Sequence, residues 1–372
     1  RTLLVPLDGA APYRAGSRIE PDAEASRVAC GKALLGRIIG AHGEPLDGRG
    51  PILARDSWPL HGPVSNPLNR GRVVRPLDLG VRAVNGLLTA GEGQRIAIIA
   101  GSGVGKSVLM GQMLAGSECD VVVIGLVGER AREVTDFIET RLSASMMPRA
   151  VVVAVPTDHP PLLRLRAAMR ATAIAEHFRH EGKRVLLLID SLTRVAHAQR
   201  EIGLAVGEPP TAKGYPPSVF ALLPNLIERG GVGRHGFGSI TSIYTVLAEG
   251  DDASDPIVDI ARASLDGQVM LSRRLADQAH YPAIDLNGSI SRVMQTLVNA
   301  DELRLANKLR RLWSVYQQNA DLVQVGAYEA GTNHELDEAI RLREQMLMFL
   351  RQDMHVAEDY EVTREQLRHI LS

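Results

Sequence analysis

Cysteine is nearly absent from this 372-residue chain: Cys30 and Cys119 are the only two, with neither a metal-thiolate spacing nor a disulfide framework. That scarcity suits a reducing compartment, so a cytoplasmic location is expected. Aromatic residues make up 4% of the sequence, which argues against a base-stacking surface for nucleic acid. Lysine is scarcer still, with Lys32, Lys106, Lys183, Lys213 and Lys308 only; arginine carries the remaining positive charge. The formal net charge of −1 excludes a global field that would recruit nucleic acid or an anionic membrane. No apolar run reaches bilayer-spanning length, and no secretory leader pattern opens the chain. It starts at Arg1 without methionine, and a preceding segment is expected.

What is present fits a globular protein of two or three domains, with 45% hydrophobic and 23% charged residues. Residues 1–50 hold short apolar runs, Thr2-Leu3-Leu4-Val5 and Leu34-Leu35-Gly36-Arg37-Ile38-Ile39. Turns such as Asp8-Gly9 and Asp47-Gly48 separate them, so short strands are expected, as at the end of a small β domain. Pro51, Pro59, Pro63, Pro67 and Pro76 then imply an extended linker. From about 81 to 293 strand patterns alternate with helical ones. Strands are expected at 95–100, 121–127, 150–155, 185–190 and 239–247, and a helix at 161–180. Such alternation implies a mostly parallel sheet covered by helices. Beyond 294 strands disappear, and two amphipathic helices are expected over 301–319 and 336–357. The division is therefore 1–50, 51–293 and 294–372: a partial N-terminal β domain, an α/β core and a helical C-terminal domain.

The chemistry concentrates where strands end. Ile96-Ala97-Ile98-Ile99 runs into Ala100-Gly101-Ser102-Gly103-Val104-Gly105-Lys106-Ser107, and a helix opens with Val108. Strand, glycine-rich turn and helix is the layout of a phosphate-binding loop. Glycines let several N–H groups turn inward, and with the helix N-terminus they make an anion cradle. Lys106 is the candidate for the terminal phosphates and Ser107 for magnesium; Ala100 replaces the usual first glycine. Open α/β sheets bind ligands beyond the carboxyl ends of their strands. Two further ends carry acids, Asp190 after Val185–Ile189 and Glu129 after Val121–Val127. Asp190 reads as the magnesium acid, with a helix N-cap as the alternative. Glu129 reads as the group that orients and polarises the attacking water, with a dipole-stabilised helix-start carboxylate as the alternative. The triphosphate is expected at the tips of three neighbouring strands. Arg164, Arg166 and Arg170 in the 161–180 helix are expected to line a solvated face, and Tyr281 taken alone reads as a packing residue.

Several longer segments occur in the order found in rotary-type ATPases: Gly101 to Ser107, Gly128-Glu129-Arg130, Asp190-Ser191-Leu192-Thr193-Arg194, Gly214-Tyr215-Pro216-Pro217-Ser218-Val219-Phe220, Gly238-Ser239-Ile240-Thr241, Asp255-Pro256-Ile257, and Tyr281-Pro282-Ala283-Ile284-Asp285 followed by Ser289-Ile290-Ser291-Arg292-Val293. Over essentially its whole length the chain most resembles the type III protein export ATPases of bacterial flagella and injectisomes. The resemblance implies a P-loop, RecA-like core, ATP and Mg2+ as ligands, and a homohexameric ring. It implies that Gly101, Ser102, Gly103, Val104, Gly105, Lys106, Ser107 and Val108 cradle the phosphates, that Tyr281 stacks on adenine, and that Arg130 links the site to its neighbour. Arg292 would be an arginine finger completing the site of the adjacent subunit; a surface salt bridge is its plain alternative.

The resemblance further implies a central stalk, regulatory proteins and chaperone–cargo complexes as partners, and peripheral attachment at the inner face of the cell membrane, beneath an export gate. Residues 205–218 and 249–256 are the candidate loops facing a central channel, with ordinary connections as the alternative. Gln268 stands where relatives often carry histidine. Three rival readings accompany the export enzyme: a catalytic subunit of a rotary ATP synthase, an RNA translocase ring, and a non-catalytic nucleotide-binding subunit. The stretch Tyr215 to Pro224 favours export over synthesis. Only Tyr13 among residues 1–50 is an aromatic of the kind RNA binding needs, and the pairing of Lys106 with Glu129 speaks for catalysis.

Overall fold

The computed structural model describes residues 16–371 apart from Pro21, Ala23, Val64, Ser65, His235 and 249–254. The expected strand at 2–5, the Asp8-Gly9 turn, Tyr13 and most of the 249–256 loop lie outside the described residues.

Hydrophobic alternation builds the centre. Along Arg95–Ala100, Ile96, Ile98 and Ala100 join one apolar cluster while Ala97 and Ile99 join another. Val122, Ile124 and Leu126 likewise oppose Val121, Val123 and Val127. Both faces are buried, so these strands read as unbroken apolar runs, as parallel strands under helices on both sides should. The first cluster packs helices Lys106–Gly116 and Ala131–Arg141 and the C-terminal helices; the second packs Pro161–His180, Leu192–Ala205, Pro217–Glu228 and Pro256–Ser264.

Across the sheet the order is Ile284–Ser291, Gly267–Leu271, Arg95–Ala100, Ser239–Leu247, Arg184–Asp190, Val121–Val127, Ala150–Val155 and Arg37–Ile39, with Gly231–Val232 added beside Ser239–Leu247. Only the edge strand Ile284–Ser291 and the short Gly231–Val232 run antiparallel. The five strands expected from sequence are all present within a residue of their bounds. Their order differs from the expectation in one respect. Ser239–Leu247 lies between the phosphate-loop strand and the Asp190 strand, so the three tips are not contiguous.

The N-terminal segment is bound closely to this core. Arg27–Cys30 pairs antiparallel with Asp56–Pro59, across the position of the expected boundary at residue 50. Arg37–Ile39 continues the large sheet, parallel to Ala150–Val155. Arg164 and Arg170 are buried, contrary to the solvated face expected for them. The Arg170 guanidinium donates to the Ala41 carbonyl at 2.8 Å, and Arg166 to the carbonyls of Ala41 and Ala25 at 3.2 and 2.7 Å. Arg164 pairs with Glu201 at 2.7 Å. Backbone carbonyls brought over the helix replace the water these cations would otherwise need.

The C-terminal layer contains three helices, Ala300–Gln324, His334–Leu350 and Tyr360–Leu371. The second was expected to reach residue 357 but ends at Leu350. Arg82 explains the stop: its guanidinium donates to the carbonyls of Phe349 and Met348, each at 3.1 Å, satisfying end groups that another turn would have used. Gln352 follows, donating through Nε2 to the Gly80 and Val356 carbonyls at 2.7 and 2.8 Å. No helix among the described residues is long and apolar enough to cross a membrane.

Candidate active site

A cleft of about 610 Å³ opens at the carboxyl edge of the sheet, lined among others by Gly103, Lys106, Ser107, Glu129, Asp190 and Arg194. The phosphate loop takes its shape from two glycines with positive φ, Gly103 at 76° and Gly105 at 93°. Gly105 is the N-cap of Lys106–Gly116 and supplies no side chain to the first helical N–H groups, which remain available to an anion. Val104 is buried in the apolar cluster and anchors the loop from below, while the Ser107 side chain is exposed at the helix start. The Ser102 carbonyl accepts from Arg273 at 2.8 Å, which fixes the loop's outer limb.

Lys106 is the electrostatic centre. Its Nζ donates to Asp190 Oδ1 at 2.7 Å and lies 3.8 Å from Glu129 Oε1. Burial pulls the ammonium's pKa down, but the charges of Asp190 and Glu129 outweigh it and hold the value above its ordinary position. Asp190 does not cap the following helix. Ser191 does, its hydroxyl accepting from the Arg194 N–H at 3.3 Å, while Asp190 takes a second hydrogen bond from the Thr245 hydroxyl at 2.5 Å. Glu129 precedes Arg130, the N-cap of Ala131–Arg141, whose side chain makes no cap hydrogen bond. Burial raises its carboxyl pKa; Lys106 opposes the rise, Asp190 adds to it, and the result is about 7. Arg194 lies 3.9 Å from Glu129 on the other side.

The structure places Tyr281 beside Gly105 of the phosphate loop. A Cβ built on Gly105 would sit 3.6 Å from the Tyr281 ring, so ring and phosphate loop are in van der Waals register. The ring is 45% exposed, as a stacking platform must be and a core packing residue is not. Its carbonyl accepts from the Gln352 N–H at 2.9 Å. Arg130 is exposed and near Glu133 at 3.7 Å.

Arg292 lies elsewhere. Ser291 pairs with Gly267, and Gly267 pairs with Ile96, so Arg292 follows the edge strand at the amino end of the parallel strands. From Ile96 to Ala100 alone is about 13 Å at 3.3 Å per residue, beyond one side chain's reach to the phosphate loop of the same chain. Its guanidinium donates to the Arg262 carbonyl at 2.8 Å and, among the described residues, is not in an ion pair.

Thr245 and Arg194 were not singled out by sequence reasoning. For Thr245 the available signal was a polar residue inside the run Ile243–Leu247; for Arg194 it was only membership of the segment after Asp190. The two channel-loop candidates meet where Lys213 Nζ comes to 3.5 Å from Asp255 Oδ2.

Glycine-shaped N–H donors, a half-buried lysine and two oxygen ligands on separate elements suit a magnesium nucleotide, because magnesium takes hard oxygen ligands beside phosphate. A phosphate loop feeding the carboxyl edge of a parallel sheet, with two acids facing its lysine, defines the class of P-loop nucleotide hydrolases. Residues 80–291 match the ATP synthase alpha/beta family nucleotide-binding domain, and residues 298–369 match the T3SS EscN ATPase C-terminal domain. The chain is 52% identical over 372 residues to the flagellum-specific ATP synthase of Pseudomonas aeruginosa, covering 100% of this chain and 82% of that one. The assembled ATPase EscN from the enteropathogenic E. coli type III secretion system superposes with a TM-score of 0.91 at 42% identity, over 97% of this chain and 88% of that one. EscN in complex with its central stalk EscO gives a TM-score of 0.87 at 43% identity, over 93% and 84% of the respective chains. The chain belongs to the type III protein export ATPases within the ATP synthase alpha/beta family. The C-terminal match separates it from the catalytic subunit of a rotary ATP synthase.

Proposed function

We propose that this chain hydrolyses magnesium ATP at sites shared between neighbouring copies in a ring of six, and that the cycle drives chaperone release and cargo unfolding for a bacterial type III export apparatus. The observation that carries the chemical reading is Lys106 held between Asp190 and Glu129 at the base of the cleft. Nucleotide phosphates replace the carboxylates as the lysine's partners. Asp190 and Ser107 would then hold magnesium, and Glu129 would orient the water. Magnesium, when bound, supplies charge neutralisation at the phosphate oxygens. Glu129 accepts a hydrogen bond from the attacking water and takes its proton as the water oxygen bonds to the γ-phosphorus and the bond from that phosphorus to the β–γ bridging oxygen breaks, releasing ADP. Arg130 sits at the cleft mouth, placed to link the site to the adjoining copy.

The division near residue 293 belongs to the same proposal, an ATPase core followed by a helical domain facing the export gate; the residues before 50 are proposed as the end of a β domain whose strands are joined to that core. A stalk seated in the ring is supported by the EscN–EscO complex of a relative. Residues 205–218, exposed over most of 204–213, and 249–256 are proposed to meet cargo in the channel. The proposed location is the cytoplasmic face of the inner membrane, held there by partners.

The test of the ring-shared site is ATPase rate per chain against protein concentration, read beside the mass of the species present. The rate should climb as the ring assembles; a rate per chain independent of assembly would refute a shared site. Lys106→Ala should lower turnover by about 10²–10³, the scale of removing one fixed transition-state donor, and weaken Mg-ATP binding. Unaltered kinetics in that variant would remove Lys106 from the site. Tyr281→Ala should raise KM for ATP by roughly 5- to 150-fold, corresponding to about 1–3 kcal/mol of base stacking, with kcat little changed. An effect on kcat alone would make Tyr281 a packing residue after all.

A further inference from the structure

We propose a second ligand site, distant from the nucleotide cleft: Asp56, His177 and Glu181 form a binding site for a divalent cation of the zinc class. The site lies where the N-terminal strand pair meets the end of the Pro161–His180 helix, and each residue offers one donor atom within 4.8 Å of the other two. His177 is 7% exposed, and its Nε2 is buried without a hydrogen-bond partner. That nitrogen lies 3.4 Å from Glu181 Oε1, aimed at the carboxylate but without hydrogen-bond geometry. A buried ring nitrogen left unsatisfied is costly unless something occupies the space in front of it.

Charge points the same way. Among the described residues neither Asp56 nor Glu181 has a lysine or arginine within ion-pair distance; His177 is the only partner, and only of Glu181. The two carboxylates also stand at the C-terminal end of a 20-residue helix, where the unsatisfied carbonyls favour a cation. His177 and Glu181 are an i, i+4 pair on one helix face, a spacing that directs both donors to one point. Asp56 arrives from the Asp56–Pro59 strand, directly opposite Cys30. Its carboxylate lies over Gly31: a Cβ there would come to 3.1 Å from Oδ2.

One imidazole and two carboxylates suit zinc better than magnesium or calcium, which prefer all-oxygen sets. Bonds of 2.0–2.2 Å in a tetrahedron require donors about 3.4 Å apart, so the present spread must contract. Asp56 and Glu181 are exposed and free to change rotamer, while His177 is fixed by burial. Water would fill the fourth position. The bound ion would tie the Asp56–Pro59 strand to the helix through charge, alongside the Trp58 Nε1 hydrogen bond to Glu176 at 3.1 Å.

The test uses the full chain with zinc chloride as the probe, in excess magnesium to occupy oxygen-only sites, with bound zinc measured after equilibrium dialysis. About one zinc per chain is expected. His177→Gln, Asp56→Asn and Glu181→Gln should each weaken binding by at least the roughly 10- to 100-fold that outer-shell changes cost in known sites. Zinc should raise the Tm of the wild type but not of the Asp56→Asn/Glu181→Gln pair, whose exposed carboxylates make it the variant expected to fold normally. ATPase activity of that pair without zinc should match wild type. Zinc uptake that survives the double substitution, or that disappears only with Asp190→Asn, would overturn the proposal. So would absence of uptake by wild type.

Discussion

Arg292→Ala should lower the turnover of the assembled enzyme by about 10³–10⁵, the worth of an arginine finger, while leaving nucleotide binding by the isolated chain intact. The expectation rests on where Arg292 is. Strand pairing puts it at the amino end of the sheet, whereas the phosphate loop leaves the carboxyl end. Its guanidinium is exposed, bound among the described residues only to the Arg262 carbonyl, and can reorient toward another chain. A trans role has a signature that a structural role lacks: the variant should assemble normally yet lose the rise in rate that accompanies assembly. Mixing it with an excess of Lys106→Ala chains, which lack the phosphate lysine but keep Arg292, should restore turnover at interfaces where an intact Arg292 faces an intact loop. A rate that falls equally in dilute and assembled samples, with no rescue on mixing, would place the arginine's effect within its own chain.

Glu129→Gln should lower turnover by about 10²–10⁴, the range for a positioned proton acceptor, and should still bind ATP because the amide keeps the shape of the carboxylate. The same residue sets the pH dependence. Burial raises its carboxyl pKa to about 7, so the group is half protonated at neutrality in the nucleotide-free chain. A general base works only when ionised. The wild-type rate should therefore rise as pH climbs through about 7 and decline below it. Phosphate release at sub-saturating Mg-ATP, which reads kcat/KM and so the groups of the nucleotide-free enzyme, checks the pH profile, and single-turnover release at saturating Mg-ATP checks the Glu129→Gln loss. A flat profile across that range, or normal hydrolysis by Glu129→Gln, would strip Glu129 of the water-activating role.

The core was legible in the sequence because its strands are buried on both faces, so Val121–Val127 and Arg184–Asp190 are nearly pure apolar runs ending at acids. The phosphate loop was equally plain, since glycine at 103 and 105 answers a backbone requirement. Other features depend on partners distant in sequence. Nothing near Arg164 or Arg170 announces the carbonyls and the acid that bury them. The stop at Leu350 is made by Arg82, and no proline or glycine follows to mark it. Thr245 reaches Asp190 only because its strand was inserted between two others, an ordering that pattern does not encode. The position of Tyr281 beside Gly105 likewise needed the resemblance first and the fold second.

The hydrogen bond from Gln352 to the Tyr281 carbonyl gives the pocket two separate mountings. Lys106 and the loop are carried by the sheet, whereas the tyrosine is tethered to the segment that joins two C-terminal helices, through a glutamine that also holds Gly80. If Tyr281 stacks on the purine as proposed, a bound nucleotide ties the two layers together, and a shift of the C-terminal helices against the sheet would be read as a change in ADP residence time.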